Sequence, residues 1–206
     1  MFSTRSARRT IINMGVVALT LCFGLVTYDE ANAATAPMAR LEIAATALKP
    51  AVRLSQSGVI MFPIDPLPRC GMSKTSFGQP RVGHTHIGLD IMADKGQKIY
   101  AVDNGVLWKQ TIDGAANAVS SGNSWHLRLA DGTYFFYGHL SAFADGLKVG
   151  DTVIRGQLIG YVGDTGNADD SGPGNYHLHF EVHPKGGAAV NPFPLLTIPK
   201  SCSIWA

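Results

Sequence analysis

Histidines and a carboxylate alternate with apolar residues in residues 175–183, Asn-Tyr-His-Leu-His-Phe-Glu-Val-His. Four ionisable residues of this stretch share one register: His177, His179, Glu181 and His183. Successive side chains of a β-strand point to opposite faces, so these four would lie on one face and the apolar residues on the other. Neutral imidazole is the commonest metal ligand among protein side chains. The pattern therefore favours a strand with a metal-binding front over a solvated edge strand.

A second alternation of polar and apolar residues lies upstream, in residues 83–91, Gly-His-Thr-His-Ile-Gly-Leu-Asp-Ile. His86 and Asp90 share a register, but a fully extended strand would separate their Cα atoms by about 13 Å, too far to hold one metal ion. Gly88 between them permits a bend that brings the two side chains together. The same glycine disfavours a helix, which would place them at i and i+4.

A third candidate is His139, which follows the strand-like aromatic run Tyr-Phe-Phe-Tyr-Gly. Taken alone, it is typical of a core or surface histidine. Catalytic zinc sites, however, use three protein ligands, mostly histidine with one carboxylate, and leave a fourth position for water. One such set is available here: His86, Asp90 and either His177 or His179. The remaining histidine of the pair and His139 are then free to act on water and on a substrate carbonyl.

The elements that must position these residues are short strands. From Val59 onward, strand-like runs alternate with Gly, Asp and Asn turns, which predicts an all-β domain. The predicted strands are Lys98–Val102, Gly105–Thr111, Trp125–Leu129, Thr133–Leu140, Val153–Val162 and Tyr176–Val182. Asp131-Gly132 between two alternating runs predicts a hairpin. The polar, Gly-rich loop 164–174 leads into the histidine strand, so we expect it to rim the site.

The first 33 residues have the three-part pattern of a secretory signal peptide. A basic start is followed by an apolar run, Ile11 to Val26, and by a small-residue cleavage site, Ala31 to Ala33. A membrane anchor is disfavoured because the apolar run is short and contains Asn13. We therefore expect an exported protein, periplasmic or secreted, with no membrane anchor after cleavage. Residues 34–60 are predicted to form a short Ala-rich lead-in, and residues 61–206 the domain that carries the candidate metal ligands.

The overall composition limits the classes of partner. The chain has 206 residues, 46% hydrophobic and 16% charged, which suits one globular domain. Removal of the signal peptide leaves a nearly neutral chain without a Lys/Arg cluster, so we expect no nucleic acid as a partner. Cys70 and Cys202 then remain, and in an exported protein such a pair predicts a disulfide, with two separate buried thiols as the alternative. We expect a monomer.

Three motifs together resemble the signatures of the lysostaphin-like (LytM-type) zinc endopeptidases of peptidoglycan: His86-x-x-x-Asp90, Tyr137-x-His139-Leu140 and His177-Leu178-His179. The resemblance extends over about residues 75–192. It implies antiparallel sheets that form an open groove with zinc on its floor. It also implies His86, Asp90 and His179 as zinc ligands, and His139 and His177 as catalytic histidines. The acidic segment 169–175 departs from the family's shorter approach to the histidine pair.

This resemblance implies an exported zinc metalloendopeptidase that hydrolyses peptide cross-links of cell-wall peptidoglycan, with its peptide stems as substrate. Two alternatives remain: a groove domain that activates another wall hydrolase without hydrolysing anything itself, and a secreted peptidase that acts on Gly-rich proteins. A complete ligand set argues against the first. Which of His139 and His177 is the general base stays open. Glu181 either orients a histidine or lies at the surface, and three histidines match none of the motifs: His84, His126 and His183.

Overall fold

The computed structural model of the chain describes residues 59–116, 120–171 and 174–206. The predicted signal peptide (1–33) and nearly all of the predicted lead-in (34–60) lie outside these residues. Ile60, at the end of that lead-in, donates its backbone N–H to the carbonyl of Leu195 and pairs with Leu196. Within the described ranges, no helix is long and apolar enough to cross a membrane.

The described residues form three sheets, with only short 3-10 segments between their strands. The strands are β1 (Gly71–Ser73), β2 (Pro80–Arg81), β3 (His84–Thr85), β4 (Leu89–Met92), β5 (Lys98–Tyr100), β6 (Gly105–Thr111), β7 (Ser124–Arg128), β8 (Tyr134–Gly138), β9 (Leu140–Phe143), β10 (Thr152–Val153), β11 (Leu158–Val162), β12 (His177–His183) and β13 (Ser203–Trp205). The large sheet has the order β10-β6-β7-β8-β12-β4-β1-β13, and the smaller ones are β5-β11-β9 and β2-β3. The predicted all-β class is confirmed.

The histidine strand β12 lies inside the large sheet, antiparallel to β8 on one side and to β4 on the other. His179 is directly opposite Asp90 on β4, and directly opposite residues of neighbouring strands share a face of the sheet. The apolar residues Leu178 and Phe180 point to the other face, where both are fully buried in the core. The predicted division into an ionisable front and an apolar back is therefore present.

The core lies behind this front and joins the large sheet to β5-β11-β9. Its four largest fully buried side chains come from β7, β8 and β12: Trp125, Phe135, Tyr137 and Phe180. The indole N–H of Trp125 donates to the carbonyl of Ile159 on β11, 3.0 Å away, which satisfies a buried donor and links the two sheets. This packed back gives the front residues a rigid support.

Two predicted strands are each divided in the structure. The run Thr133–Leu140 breaks at His139, whose φ of 63° lies in the left-handed region and ends β8. The run Val153–Val162 is interrupted by a turn at Gly156, with φ of 84°, between β10 and β11. Gly138-His139 and Arg155-Gly156-Gln157 interrupt the apolar residues at these two breaks, and each predicted strand extended through such an interruption. The hairpin predicted at Asp131-Gly132 is confirmed, since it joins the antiparallel strands β7 and β8.

A disulfide joins Cys70, just before β1, to Cys202, just before β13. The two strands that follow these cysteines pair in parallel at the edge of the large sheet. The predicted disulfide is thus confirmed, and the alternative of two separate thiols is wrong. The bond ties the C-terminal strand to the start of the domain.

Loss of this disulfide is expected to lower the free energy of unfolding. The bond spans 132 residues, and closing so long a loop restricts the unfolded chain, which for native disulfides is worth about 2–5 kcal/mol. Denaturant unfolding of the wild type and of Cys70→Ala/Cys202→Ala measures the difference. Reductant should shift the wild-type midpoint and leave the double variant unchanged. Equal midpoints for the two oxidised proteins would show that the bond contributes nothing.

Candidate metal site and groove

Three side chains on the front of the large sheet converge on one point: His86, Asp90 and His179. Nε2 of His86 lies 3.1 Å from Oδ1 of Asp90, and Nδ1 of His179 lies 3.0 Å from each of these atoms. Ligand atoms about 2.0–2.1 Å from a tetrahedral zinc ion lie about 3.3–3.4 Å apart. The triangle therefore fits one small ion after shifts of a few tenths of an ångström.

Gly88 makes this convergence possible. It forms a bend between His86 and β4, so that His86 and Asp90 point to the same place despite being four residues apart. A Cβ at position 88 would lie 2.5 Å from Cε1 of His179 and 2.9 Å from the carbonyl oxygen of Phe180. No side chain larger than hydrogen fits between this bend and β12. The bend that the sequence predicted at Gly88 is confirmed.

Hydrogen bonds fix which nitrogen of each histidine faces the centre. Nδ1–H of His86 donates to the carbonyl of Ser76, 2.8 Å away, and Nε2–H of His179 donates to Oε1 of Glu181, also 2.8 Å away. Each ring then turns its unprotonated nitrogen toward Asp90, whose carboxylate accepts but does not donate. When both rings are neutral, three acceptor atoms lie about 3 Å apart with no donor among them, which is the chemistry of a cation site.

The charges of the cluster agree with this assignment. Burial acts to raise the pKa of Asp90, but hydrogen bonds to His179 and His86 hold it far below its ordinary value. Burial acts to lower the pKa of His179, but its hydrogen bonds to Asp90 and Glu181 raise it to about 9. Asp90 is therefore ionised at neutral pH, and a proton competes with a metal ion for Nδ1 of His179.

His139 and His177 lie beside the triangle, with their ring centroids 4.7 Å apart. Nδ1–H of His139 donates to the carbonyl of Thr165 at 2.7 Å, and Nδ1–H of His177 donates to the carbonyl of Asn175 at 2.8 Å. Nε2 is thus the unprotonated nitrogen of each ring, and that of His177 is 3.8 Å from Oδ1 of Asp90. Burial lowers the pKa of His139 to about 4 and also lowers the pKa of His177. Both are neutral at pH 7 and can accept a proton.

Glu181, whose role the sequence left open, connects the cluster to His183. Its Oε1 accepts from His179, and its Oε2 accepts from Nε2 of His183 at 2.6 Å. Nδ1 of His183 in turn contacts the carbonyl of Gly187 at 2.9 Å, and its ring stacks on Tyr134 at 4.2 Å. Glu181 is therefore a half-buried acceptor that contacts a histidine on each side, and it fixes the orientation of His179.

Replacing Glu181 with glutamine is expected to weaken zinc binding about 10- to 100-fold, because carboxylates that hold a metal-binding histidine contribute that much to affinity. The glutamine is isosteric but uncharged, and its amide cannot accept from both His179 and His183. Competition with a chromophoric chelator measures the dissociation constant. Asp145→Asn, on an exposed turn, is the control with the same change of charge. An unchanged zinc affinity for Glu181→Gln would contradict the orienting role.

Two supporting residues were not predicted from the sequence. Ser76 accepts from His86 through its carbonyl, and Arg81 on β2 donates from Nη2 to Oδ2 of Asp90 at 3.0 Å. Neither belongs to an alternating run that contains the ligands, so no periodic signal could have found them. Two histidines without a motif lie away from the triangle: His84 is exposed at the edge of the groove, and His126 packs between Trp108 and Phe136.

The cluster lines a groove with a volume of about 550 Å³. The β2-β3 hairpin borders it with Arg81 and Val82, and Ser121 and Asn167 come from two loops. Loop 164–174, predicted to rim the site, does so through Asn167 and Ala168.

A family model described as Peptidase family M23 matches residues 84–192, just over half of the chain. The chain is 30% identical over 131 residues to the L-Ala--D-Glu endopeptidase of Bacillus subtilis, a match that covers 58% of this chain and 36% of that protein. It is 37% identical over 108 residues to the DD-carboxypeptidase/endopeptidase Mpg of Neisseria meningitidis, covering 52% of this chain and 22% of that one. The chain thus spans roughly a third or less of these relatives.

Among solved structures, the chain resembles the catalytic domain of the prophage-encoded M23 protein EnpA from Enterococcus faecalis. The TM-score is 0.50 at 27% identity, and the match covers 64% of this chain and 94% of that domain. The match covers nearly all of that catalytic domain. All five residues that the motifs singled out lie within residues 84–192, which the family model matches.

Proposed function

The chain belongs to peptidase family M23, and from this we propose that it is an exported zinc metalloendopeptidase that hydrolyses peptide cross-links of bacterial cell-wall peptidoglycan. In this proposal His86, Asp90 and His179 hold zinc, and His139 and His177 are the catalytic histidines. The names of both curated relatives specify bonds that involve D-amino acids, which occur in peptidoglycan peptides. These names support the substrate class.

The observation that carries the proposal is the triangle of Nε2 of His86, Oδ1 of Asp90 and Nδ1 of His179. Each of the two histidines is hydrogen-bonded through its other ring nitrogen to a group outside this triangle. In their neutral forms both rings direct their N–H donors, Nδ1–H of His86 and Nε2–H of His179, away from the centre, toward Ser76 and Glu181. Without a cation, the pKa of about 9 keeps a second proton on His179, at Nδ1 against Asp90, and a divalent cation would replace that proton. The lone pairs that remain face one another across about 3 Å, an arrangement that a divalent cation stabilises.

A zinc ion held there would polarise the scissile carbonyl and lower the pKa of a water molecule toward about 7. The neutral rings of His139 and His177 offer Nε2 as an acceptor for the proton of that water. A hydrogen bond to the developing oxyanion requires a proton on Nε2, because Nδ1–H of each ring is already committed to a carbonyl. The ring that accepts the proton becomes the donor, and can pass the proton on to the leaving amine.

Digestion of purified sacculi by the zinc-loaded mature protein tests the proposal, with the released peptides identified by mass spectrometry. We expect new amino and carboxyl ends at one kind of peptide bond. Asp90→Ala, carried through the same purification, is the control for contaminating hydrolases. A zinc-loaded wild type that releases nothing would favour a groove domain that only activates another enzyme. Cleavage of Gly-rich proteins without cleavage of sacculi would favour a peptidase that acts outside the wall.

A further inference from the structure

We propose that Arg81 forms a carboxylate-binding subsite next to the metal cluster, so that the preferred substrate carries a free carboxylate on a residue beside the scissile peptide bond. This inference rests on the proposed peptidase function and specifies its substrate. It separates peptide cross-links that retain such a carboxylate from glycine bridges, whose residues offer only backbone amides.

The first observation is the position of Arg81. The carboxylate of Asp90 lies between the guanidinium of Arg81 and the centre of the cluster. Nη2 of Arg81 donates to Oδ2 of Asp90 at 3.0 Å, and Oδ1 of Asp90 faces the two histidines. Neighbouring Cα atoms of a peptide are 3.8 Å apart. A carboxylate on a residue adjacent to the bond being cut therefore falls within reach of Arg81.

The second observation is the unused binding capacity of Arg81. A guanidinium has five N–H donors in a planar fork that matches a carboxylate. One of them contacts Asp90, and the side chain is 44% exposed, so donors remain available at the edge of the groove. Binding a second carboxylate there would not require Arg81 to leave Asp90.

The third observation is the charge of the groove. Of the groove-lining residues that the structure describes, Arg81 is the only lysine or arginine. The two acidic residues in the lining, Asp90 and Glu181, already accept hydrogen bonds from histidines. The remaining lining residues are histidines and uncharged residues, both polar (such as Ser120, Ser121 and Asn167) and apolar. An anionic group of the substrate thus has one favoured place.

The competing interpretation is that Arg81 only positions Asp90 by holding its second oxygen. That role would act on every substrate alike and would alter zinc binding. Recognition of a substrate carboxylate would act only on substrates that have one. The two roles therefore predict different results for a pair of substrates that differ in one charge.

The test uses three synthetic substrates and zinc-loaded protein. One is a D,D-cross-linked peptide dimer with a free carboxylate beside the scissile bond, the second is the same dimer with that carboxylate converted to a carboxamide, and the third is a pentaglycine peptide. We expect the wild type to cleave the acid with a kcat/KM on the order of 10- to 100-fold above the amide, the size of one charged hydrogen-bonded pair. Arg81→Gln should lose that preference, and Arg81→Lys should keep part of it.

Arg155→Gln is the matched control, because Arg155 is exposed on a turn outside the groove and undergoes the same chemical change. Zinc content is measured for every variant. Equal losses on acid and amide, or a loss of zinc in Arg81→Gln, would overturn the inference and leave Arg81 as a positioning residue. So would a wild type that cleaves the amide or pentaglycine as fast as the acid.

A failure of the proposed function gives a different result, since the wild type would then cleave none of the three substrates. The inference is still testable in that case by titrating the acid and amide forms of the dimer into zinc-loaded protein and measuring the heat of binding. Tighter binding of the acid that disappears in Arg81→Gln would support the subsite. Equal binding of the two forms would reject it.

Discussion

Replacement of either His179 or Asp90 with alanine is expected to remove both zinc and hydrolysis. Each substitution leaves two of three converging ligand atoms, and loss of a ligand weakens binding by more than the roughly 10–100-fold caused by loss of a supporting hydrogen bond. Zinc per chain is measured by atomic absorption after reconstitution and dialysis, and hydrolysis is measured on sacculi. We expect about one zinc ion per wild-type chain, because one cluster of three ligands is present among the residues that the structure describes.

His84→Ala is the control for metal content, because His84 lies at the groove edge but outside the triangle. It should retain zinc. Circular dichroism of His179→Ala and Asp90→Ala separates loss of metal from loss of fold. A wild type that stays metal-free after reconstitution would contradict the hydrolase proposal. If His177→Ala lost zinc while His179→Ala kept it, the roles within the pair would be reversed.

The sequence could predict which side chains of one segment share a face, because this depends only on the geometry of that segment. The period of two in residues 177–183 placed the ionisable side chains on one face, and the structure agrees. The need for a bend at Gly88 followed from the rise per residue of an extended chain. Both inferences use distances within one segment, which the sequence determines directly.

Contacts between distant segments were not predictable in the same way. The pairing of His179 with Asp90, 89 residues apart, depends on which strand lies next to β12. The choice between two roles for Glu181 was settled by the approach of His179 and His183, and Arg81 reaches Asp90 only because the β2-β3 hairpin folds over the groove edge. Strand neighbours depend on the whole packed core, which hydrophobic alternation does not encode.

The break at His139 shows a different limit. His139 comes directly after the aromatic run, and its backbone adopts φ of 63°, which its residue type does not predict because this conformation is uncommon for a residue other than glycine. Its N–H donates to the carbonyl of Ser121 and its ring to that of Thr165, and these contacts hold it in place. Such a conformation costs free energy and is typical of functional positions. It directs the ring into the groove rather than along β8.

Replacement of His139 is expected to abolish hydrolysis while leaving zinc bound. Its ring centroid is 6.0 Å from that of His179, and three ligand atoms converge without it. Loss of a general base costs on the order of 10²–10⁴-fold in kcat, and loss of a hydrogen bond to the oxyanion costs about 10²–10³-fold. These ranges overlap, so the size of the effect does not assign the role. His177→Ala is expected to behave likewise.

His139→Asn is the variant that isolates the chemistry, because asparagine adopts the left-handed conformation of residue 139 more readily than alanine does. It should keep the fold and near wild-type zinc, and lose hydrolysis as His139→Ala does. Hydrolysis by His139→Asn within about tenfold of wild type would show that the ring takes no part in proton transfer or oxyanion binding. Loss of zinc in His139→Asn would instead make His139 a ligand, and the proposed ligand set would then be wrong.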